Sequence, residues 1–180
     1  AVVESYDYWI KADQIAMTPT LDKKGREVVD TKTRKAIADK MLEYYRTQEL
    51  VKYGIYLNDK RDFATAYEVF MRHLNIPNLD MTQDAKYQKE MPKDTIYQQY
   101  MYYAGIFAAQ AENHDNAIAI FEQMKDGEYE PITVTQLLYQ EYQAKKDTAN
   151  FVRVLQDATV KFPSEPWFLQ NLINHYIYSG

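Results

Sequence analysis

Gly54, Ala66 and Phe70 recur fifty-one residues later as Gly105, Ala117 and Phe121, with the same mutual offsets. Thirty-four residues further on stand Tyr139, Phe151 and Leu155, followed by Ala158 and Pro163. A chain that repeats a small residue, then an Ala twelve positions on, then an aromatic or Leu four after that, must build the same local unit more than once. Thirty-four residues is the length of a paired-helix repeat. Stacked helical hairpins are mainly surface, so the spacing favours a binding role over chemistry.

Composition agrees with a helical domain. Of 180 residues, 46% are hydrophobic and 26% charged, enough to bury one contiguous core. Five Gly and six Pro are few for a sheet-and-turn architecture of this length. With 21 basic against 26 acidic residues, the chain lacks the clustered positive charge that nucleic acid or an anionic membrane needs, and protein or peptide partners are expected instead. It has no cysteine, so disulfides and thiolate metal sites are excluded. That absence suits the cytoplasm and a bacterial cell envelope or periplasm equally. No apolar run approaches the length of a membrane span. The start at Ala1, without a basic and apolar leader, reads as a processed chain or a piece of a longer one.

Periodicity then places the elements. An amphipathic helix runs from Val2 to Met17, with Tyr6, Trp9, Ile10, Ala16 and Met17 near one face and Asp13 falling on that face. Pro19, Gly25 and the charged run at Asp22 mark a loop from Thr18 to Asp30. Residues 31–58 read as one long helix or two nearly continuous ones. Asp62 is placed to cap the next helix, which carries Phe63, Ala66, Tyr67 and Phe70 and ends before Pro77. Residues 81–97 are an insertion of seventeen relative to a continuous repeat, with Pro92 suited to a first helical turn and Asp94 or Thr95 to its cap. Helices to Gln110 and Lys125, from Ile132 to Ala144, from Thr148 to Lys161 and from Trp167 to Tyr178 complete the chain.

On these residues the chain resembles a tetratricopeptide repeat protein over residues 47–180. The second repeat carries Met101, Ala104, Gly105, Ala108, Ala117 and Phe121 at the family's packing positions, and the first carries Leu50, Tyr53, Gly54, Leu57, Ala66 and Phe70. Gly or Ala lets two helix backbones approach, and the neighbouring aromatic fills the space beside them. The third repeat departs, since Tyr139 and Phe151 are large where small residues are usual. The Tyr-rich style, with a long first helix, is similar to repeat proteins of gut Bacteroidetes. The resemblance implies an all-α, right-handed superhelical α-solenoid of antiparallel helix pairs. Its repeats would span 47–80, 98–131 and 132–165, with a half-repeat at 166–180, after an N-terminal region of residues 1–46 that holds a helix, a loop and the start of the long helix.

The resemblance also implies that first helices line a concave groove. Its partner-binding positions map onto Val51, Ile55 and Asn58, then Tyr102, Ile106 and Ala109, then Gln136, Gln140 and Gln143, and finally Gln170 and Asn174. None is Lys or Arg, so the clamp by which one subclass grips a terminal carboxylate is absent. A neutral, partly apolar peptide or helix suits such a groove better than an acidic tail. Core packing of Tyr102 and Ile106 against adjacent helices is the competing reading, and the residues leave both open.

Other features point away from chemistry. The stripe of Tyr97, Tyr100, Met101, Tyr103 and Phe107 reads as core. His73, His114 and His175 lie in different repeats, in no paired ligand motif, so no metal or cofactor is expected. Asp59 and Asp62 flank a turn, where capping explains them better than acid–base catalysis. There is no phosphate loop or serine elbow. Lys32, Arg34, Lys35 and Lys40 read as a solvated face. The expected function is therefore a non-catalytic protein-interaction scaffold, with a helical accessory domain of a larger enzyme or carbohydrate-uptake assembly as the alternative. The last helix carries Trp167, Phe168, Leu169, Leu172, Ile173, Tyr176 and Ile177, more apolar surface than one neighbour covers, so further repeats or self-association through that end are expected.

Overall fold

The computed structural model describes residues 1–178. It is all-α apart from one short β-hairpin, and its chain divides into two compact units, Ala1–Tyr97 and Gln98–Gly180. The division falls at the end of the segment that the sequence marks as an insertion.

In the first unit, α1 (Val2–Ala16) packs on α2 (Thr31–Thr47) and on α3 (Glu49–Asp59). The segment between α1 and α2, expected as a loop, pairs Thr20 with Val28 and Leu21 with Glu27 as a minimal hairpin, β1 (Thr20–Leu21) and β2 (Glu27–Val28). Its turn is held by the Asp22 carboxylate, which accepts from the Lys24 and Arg26 backbone N–H groups at 2.7 and 3.0 Å, while Gly25 takes the left-handed φ of +71° that the turn needs. The long helical stretch resolves into two helices, because Gln48 adopts φ 56° between them. Asp13, off-pattern in the sequence, is buried on the inner face of α1, 3.5 Å from Arg34 of α2. Burial pushes its carboxyl pKa up, and Arg34 opposes that rise.

α4 (Phe63–Asn75) closes the first helical hairpin against α3. Two 3-10 turns, Ile76–Asn78 and Asp80–Thr82, and the short α5 (Ala85–Glu90) follow, burying Ile76, Met81, Tyr87 and Met91. Pro92 does not start a helix. It lies in the irregular segment before α6 (Thr95–Gln110), whose first free N–H groups, on Ile96 and Tyr97, are taken by the Asp94 carboxylate. The described residues thus hold ten α-helices: the stretch 31–58, read as one helix or two nearly continuous ones, is two, and α5 lies within the segment read as an insertion.

The second unit continues with α7 (His114–Met124), α8 (Pro131–Ala144), α9 (Thr148–Lys161) and α10 (Pro166–Tyr178). Contacts run in chain order, α7 on α8, α8 on α9 and α9 on α10. Phe121, Met124, Leu138, Leu155 and Phe168 are its largest fully buried side chains.

Three helix-to-helix turns are the same object. Arg61, Glu112 and Lys146 each take a left-handed φ, of 61°, 57° and 57°. The next residue, Asp62, Asn113 or Asp147, caps the second helix through its side chain, accepting from the N–H of Thr65, Asn116 or Asn150. That capping residue also donates its own N–H to the carbonyl five residues back, Leu57, Ala108 or Tyr142, at 2.9 Å each time. Each turn thereby gives a partner to one carbonyl left free at the end of the first helix and to one N–H left free at the start of the second.

The helices so joined also meet at equivalent positions. A Cβ added to Gly54 would lie 2.5 Å from two ring carbons of Phe70, and one added to Gly105 would lie 2.5 Å from Phe121. No side chain fits at that approach. In the third hairpin Tyr139 meets Phe151 edge to face at 5.7 Å, and also meets Trp167 at 5.3 Å, so two rings fill the space that a glycine leaves to one.

Candidate interaction surface

The groove positions divide by burial. Val51 is 3% exposed and belongs to the core of the first unit, so its assignment to a contact surface is corrected: at the register of Leu50 and Gly54 it faces inward. Ile55 is 51% exposed and Asn58 half-buried. In the second unit Tyr102, Ile106, Ala109 and Gln136 are half-buried, whereas Gln140, Gln143, Gln170 and Asn174 are exposed. Ten of the eleven positions are therefore reachable by solvent.

Around Tyr102 the structure assembles residues that sequence reasoning did not place together. Tyr102 tilts against Tyr129, from the segment entering α8, at 5.6 Å and 58°, and against Tyr103 at 5.8 Å and 63°. Tyr103 lies stacked along Phe107 at 6.5 Å and keeps 39% of its surface exposed, so the aromatic stripe of α6 is core only in part: Tyr97 and Phe107 are buried, Tyr103 is not. Burial raises the Tyr102 phenol pKa, and the Glu130 carboxylate raises it further. Glu130 itself has φ 46° and stands as the residue before α8 with no side-chain cap bond. No local signal would have found Tyr129, because its meeting with Tyr102 spans twenty-seven residues.

The first unit presents a smaller aromatic surface on α3. Tyr53 and Tyr56 stack at 6.2 Å, and Lys60 Nζ sits 5.5 Å from the Tyr56 centroid.

Other titratable groups make contacts within the fold. His73 is buried against Tyr45, stacked at 4.8 Å, and burial pulls its pKa down to about 4. His114 Nδ1 lies 2.7 Å from the Glu141 carboxylate, joining α7 to α8, and His175 meets Phe151 edge to face. The Tyr142 hydroxyl donates to Glu122 at 2.8 Å, and Arg153 binds the same oxygen at 2.8 Å, which ties α7, α8 and α9 together. Burial, and then the bond to Glu122, push Tyr142 up to about 12. Burial works against ionisation of Glu122, yet the bonds from Arg153, Lys125 and Tyr142 outweigh it and hold its pKa low.

A cleft of about 250 Å³ beside this brace is rimmed by Lys125, Asp126, Arg153, Asp157 and Lys161, whose charges pair among themselves or with Glu122. A second cleft, of about 470 Å³, lies in the first unit at Arg34, Lys35, Met81, Lys86 and Tyr87. There Arg34 is shared by Asp13 and Asp80, and Lys86 pairs with Asp39. Among the described residues no group of three or more His, Asp or Glu side chains is arranged to hold a metal ion, and no helix is long and apolar enough to cross a membrane. The chain matches no protein-family model, no curated protein and no solved structure.

Proposed function

We propose that this chain is a non-catalytic interaction scaffold whose three hairpins are repeats of the tetratricopeptide kind. The observation that carries the reading is the turn repeated at Arg61, Glu112 and Lys146, with the same cap and the same 2.9 Å backbone bond each time. A unit built three times over is organised for surface rather than for a reacting centre. The right-handed solenoid expected from the resemblance belongs to this proposal. So does the contact surface, now without Val51. In the second unit Tyr102 and Ile106 supply apolar area and Gln136, Gln140 and Gln143 supply amides, in the first unit Ile55 and Asn58 offer the same two chemistries, and the partner is a peptide or helix.

The uncovered side of α10 is part of the same reading. Leu169, Ile173 and Ile177 are 52%, 48% and 65% exposed, and a further repeat or a second copy would cover them.

The test compares partners captured from a lysate by the parent, by Tyr102→Ala combined with Ile106→Ser, and by Val160→Ser, which alters an 83% exposed residue on α9. Equal helicity of the three proteins is established first. The double variant is expected to lose partners that the other two retain, because a buried aromatic anchor is worth about 2 kcal/mol or more at an interface. Identical profiles would remove the groove assignment.

A further inference from the structure

The tyrosine cluster of the second unit has a chemistry that a generic contact surface does not require. Tyr103 and Tyr129 both lean on Tyr102, with centroids 5.8 and 5.6 Å away and ring planes turned by 63° and 58°. Glu130 directly follows Tyr129, and its carboxylate acts electrically on both the Tyr102 and the Tyr129 phenols, each of which is shifted upward first by burial. That carboxylate is exposed. Its one side-chain partner is the Thr133 hydroxyl at 3.3 Å, and among the described residues neither Glu130 nor its neighbour Glu128 has a basic side chain within ion-pair distance.

The surroundings point the same way. All of the chain's net negative charge resides in this unit: Gln98–Gly180 holds five basic and ten acidic residues, against sixteen of each in Ala1–Tyr97. Most other acids of the second unit are already engaged. Glu122, Asp115, Asp126, Asp157 and Glu141 face a basic side chain, and Asp147 caps a helix. An aromatic face attracts a cation through its quadrupole, and a carboxylate without a basic partner adds a full charge to that attraction. A guanidinium suits the pair better than an ammonium does, because its plane can lie along a ring while its N–H fork reaches the carboxylate.

We propose that Tyr102, Tyr103, Tyr129 and Glu130 form a receptor for a cationic side chain, an arginine, carried by the partner peptide. This rests on the interaction-surface reading and gives that surface its specificity. The exposed Tyr103 ring offers the stacking face, Glu130 takes the guanidinium fork, and Tyr102 and Tyr129 hold the two in register.

The test titrates N-acetyl-arginine amide and the uncharged isostere N-acetyl-citrulline amide separately into protein labelled on its tyrosine rings, followed by nuclear magnetic resonance. The arginine probe is expected to shift the ring signals of Tyr102, Tyr103 and Tyr129 saturably, and the citrulline probe to bind about tenfold more weakly or not at all. Glu130→Gln should weaken the arginine response about fivefold or more without loss of helicity, and Tyr103→Leu should remove the stacking partner. Equal responses to the two probes, or no saturable shift up to about 50 mM probe, a ceiling far above a specific site's dissociation constant, overturn the proposal. So does a Glu130→Gln protein that binds arginine as the parent does. If the probe fails while Tyr102→Ala with Ile106→Ser still loses captured partners, the interaction surface stands and the arginine receptor falls. If the probe binds and partner capture is unchanged, the cluster holds a guanidinium but the groove falls, and with it the assignment of that arginine to a partner peptide.

Discussion

The hairpins α3–α4 and α6–α7 are locked by an absent side chain, the hairpin α8–α9 by two large ones. In the first two, Gly54 and Gly105 let Phe70 and Phe121 lie where a Cβ would be 2.5 Å away. In the third, Tyr139 occupies the glycine's place and Phe151 the place of Ala66 and Ala117, and the rings meet edge to face at 5.7 Å. The turn that joins the helices is nonetheless the same in all three. Connection geometry is therefore set locally, by one left-handed residue and one capping side chain, whereas helix contact is set by whichever volumes fill the gap.

The difference breaks most visibly at Tyr139. Only 8% exposed and touching both Phe151 and Trp167, it should cost about 3 to 5 kcal/mol when truncated to Ala, since no flanking glycine contact lets the hairpin close onto the space. Chemical denaturation measures it. A loss below about 1 kcal/mol would mean that the third hairpin closes like the other two.

A second contrast lies three residues beyond Phe70, Phe121 and Leu155 on the second helices, where His73 of α4 corresponds to Met124 of α7 and Ala158 of α9. Only the first hairpin buries a titratable ring there. The folded pKa of His73, about 4, lies below its ordinary value of 6.5, so the unfolded chain takes up the proton first as pH falls. The stability this ring allows is complete above about pH 6.5 and is lost as pH drops from there to about 4, by about 3 kcal/mol in all. His73→Met, which copies the second hairpin, should flatten that part of the stability–pH profile, and melts between those limits check it. An unchanged slope would place the acid sensitivity elsewhere.

The smallest expected effect sharpens the likeness of the first two hairpins. Gly54→Leu and Gly105→Leu should each cost about 1 to 3 kcal/mol by overpacking against Phe70 or Phe121, and by similar amounts. Thermal melts of either variant that match the parent would separate the repeat spacing from the packing it implies.

Much of this frame was legible beforehand, for reasons specific to each part. Gly54, Ala66 and Phe70 recur at fixed offsets because a helix contact is periodic in sequence as well as in space. Asp62 announced its helix because an N-cap acts within three residues. Helix α9 runs over the bounds read from its pattern, Thr148–Lys161. The turn residues were harder, since Arg61, Glu112 and Lys146 adopt a conformation in which glycine or asparagine would be expected, and the split at Gln48 is of the same kind.

The candidate surface was legible only in outline. Gln140 and Gln143, mapped from the family resemblance, are exposed and Ile106 is half-buried, but Val51, mapped in the same way, is buried under neighbours that its helix alone does not reveal. Tyr129 and Glu130 could not be read at all, because nothing within a few residues of them specifies Tyr102.

By itself, then, the sequence determined what acts over one or two helical turns: the all-α class, the recurring hairpin, and the cap at Asp62. Only the tertiary structure decided which side of α3 is covered, how Tyr139 and Phe151 replace a glycine contact, and that an aromatic and anionic corner gathers around Tyr102. The physical reason is range. Backbone hydrogen bonds and capping are satisfied by near neighbours, whereas burial and the electrostatics of a surface depend on side chains that only folding brings together.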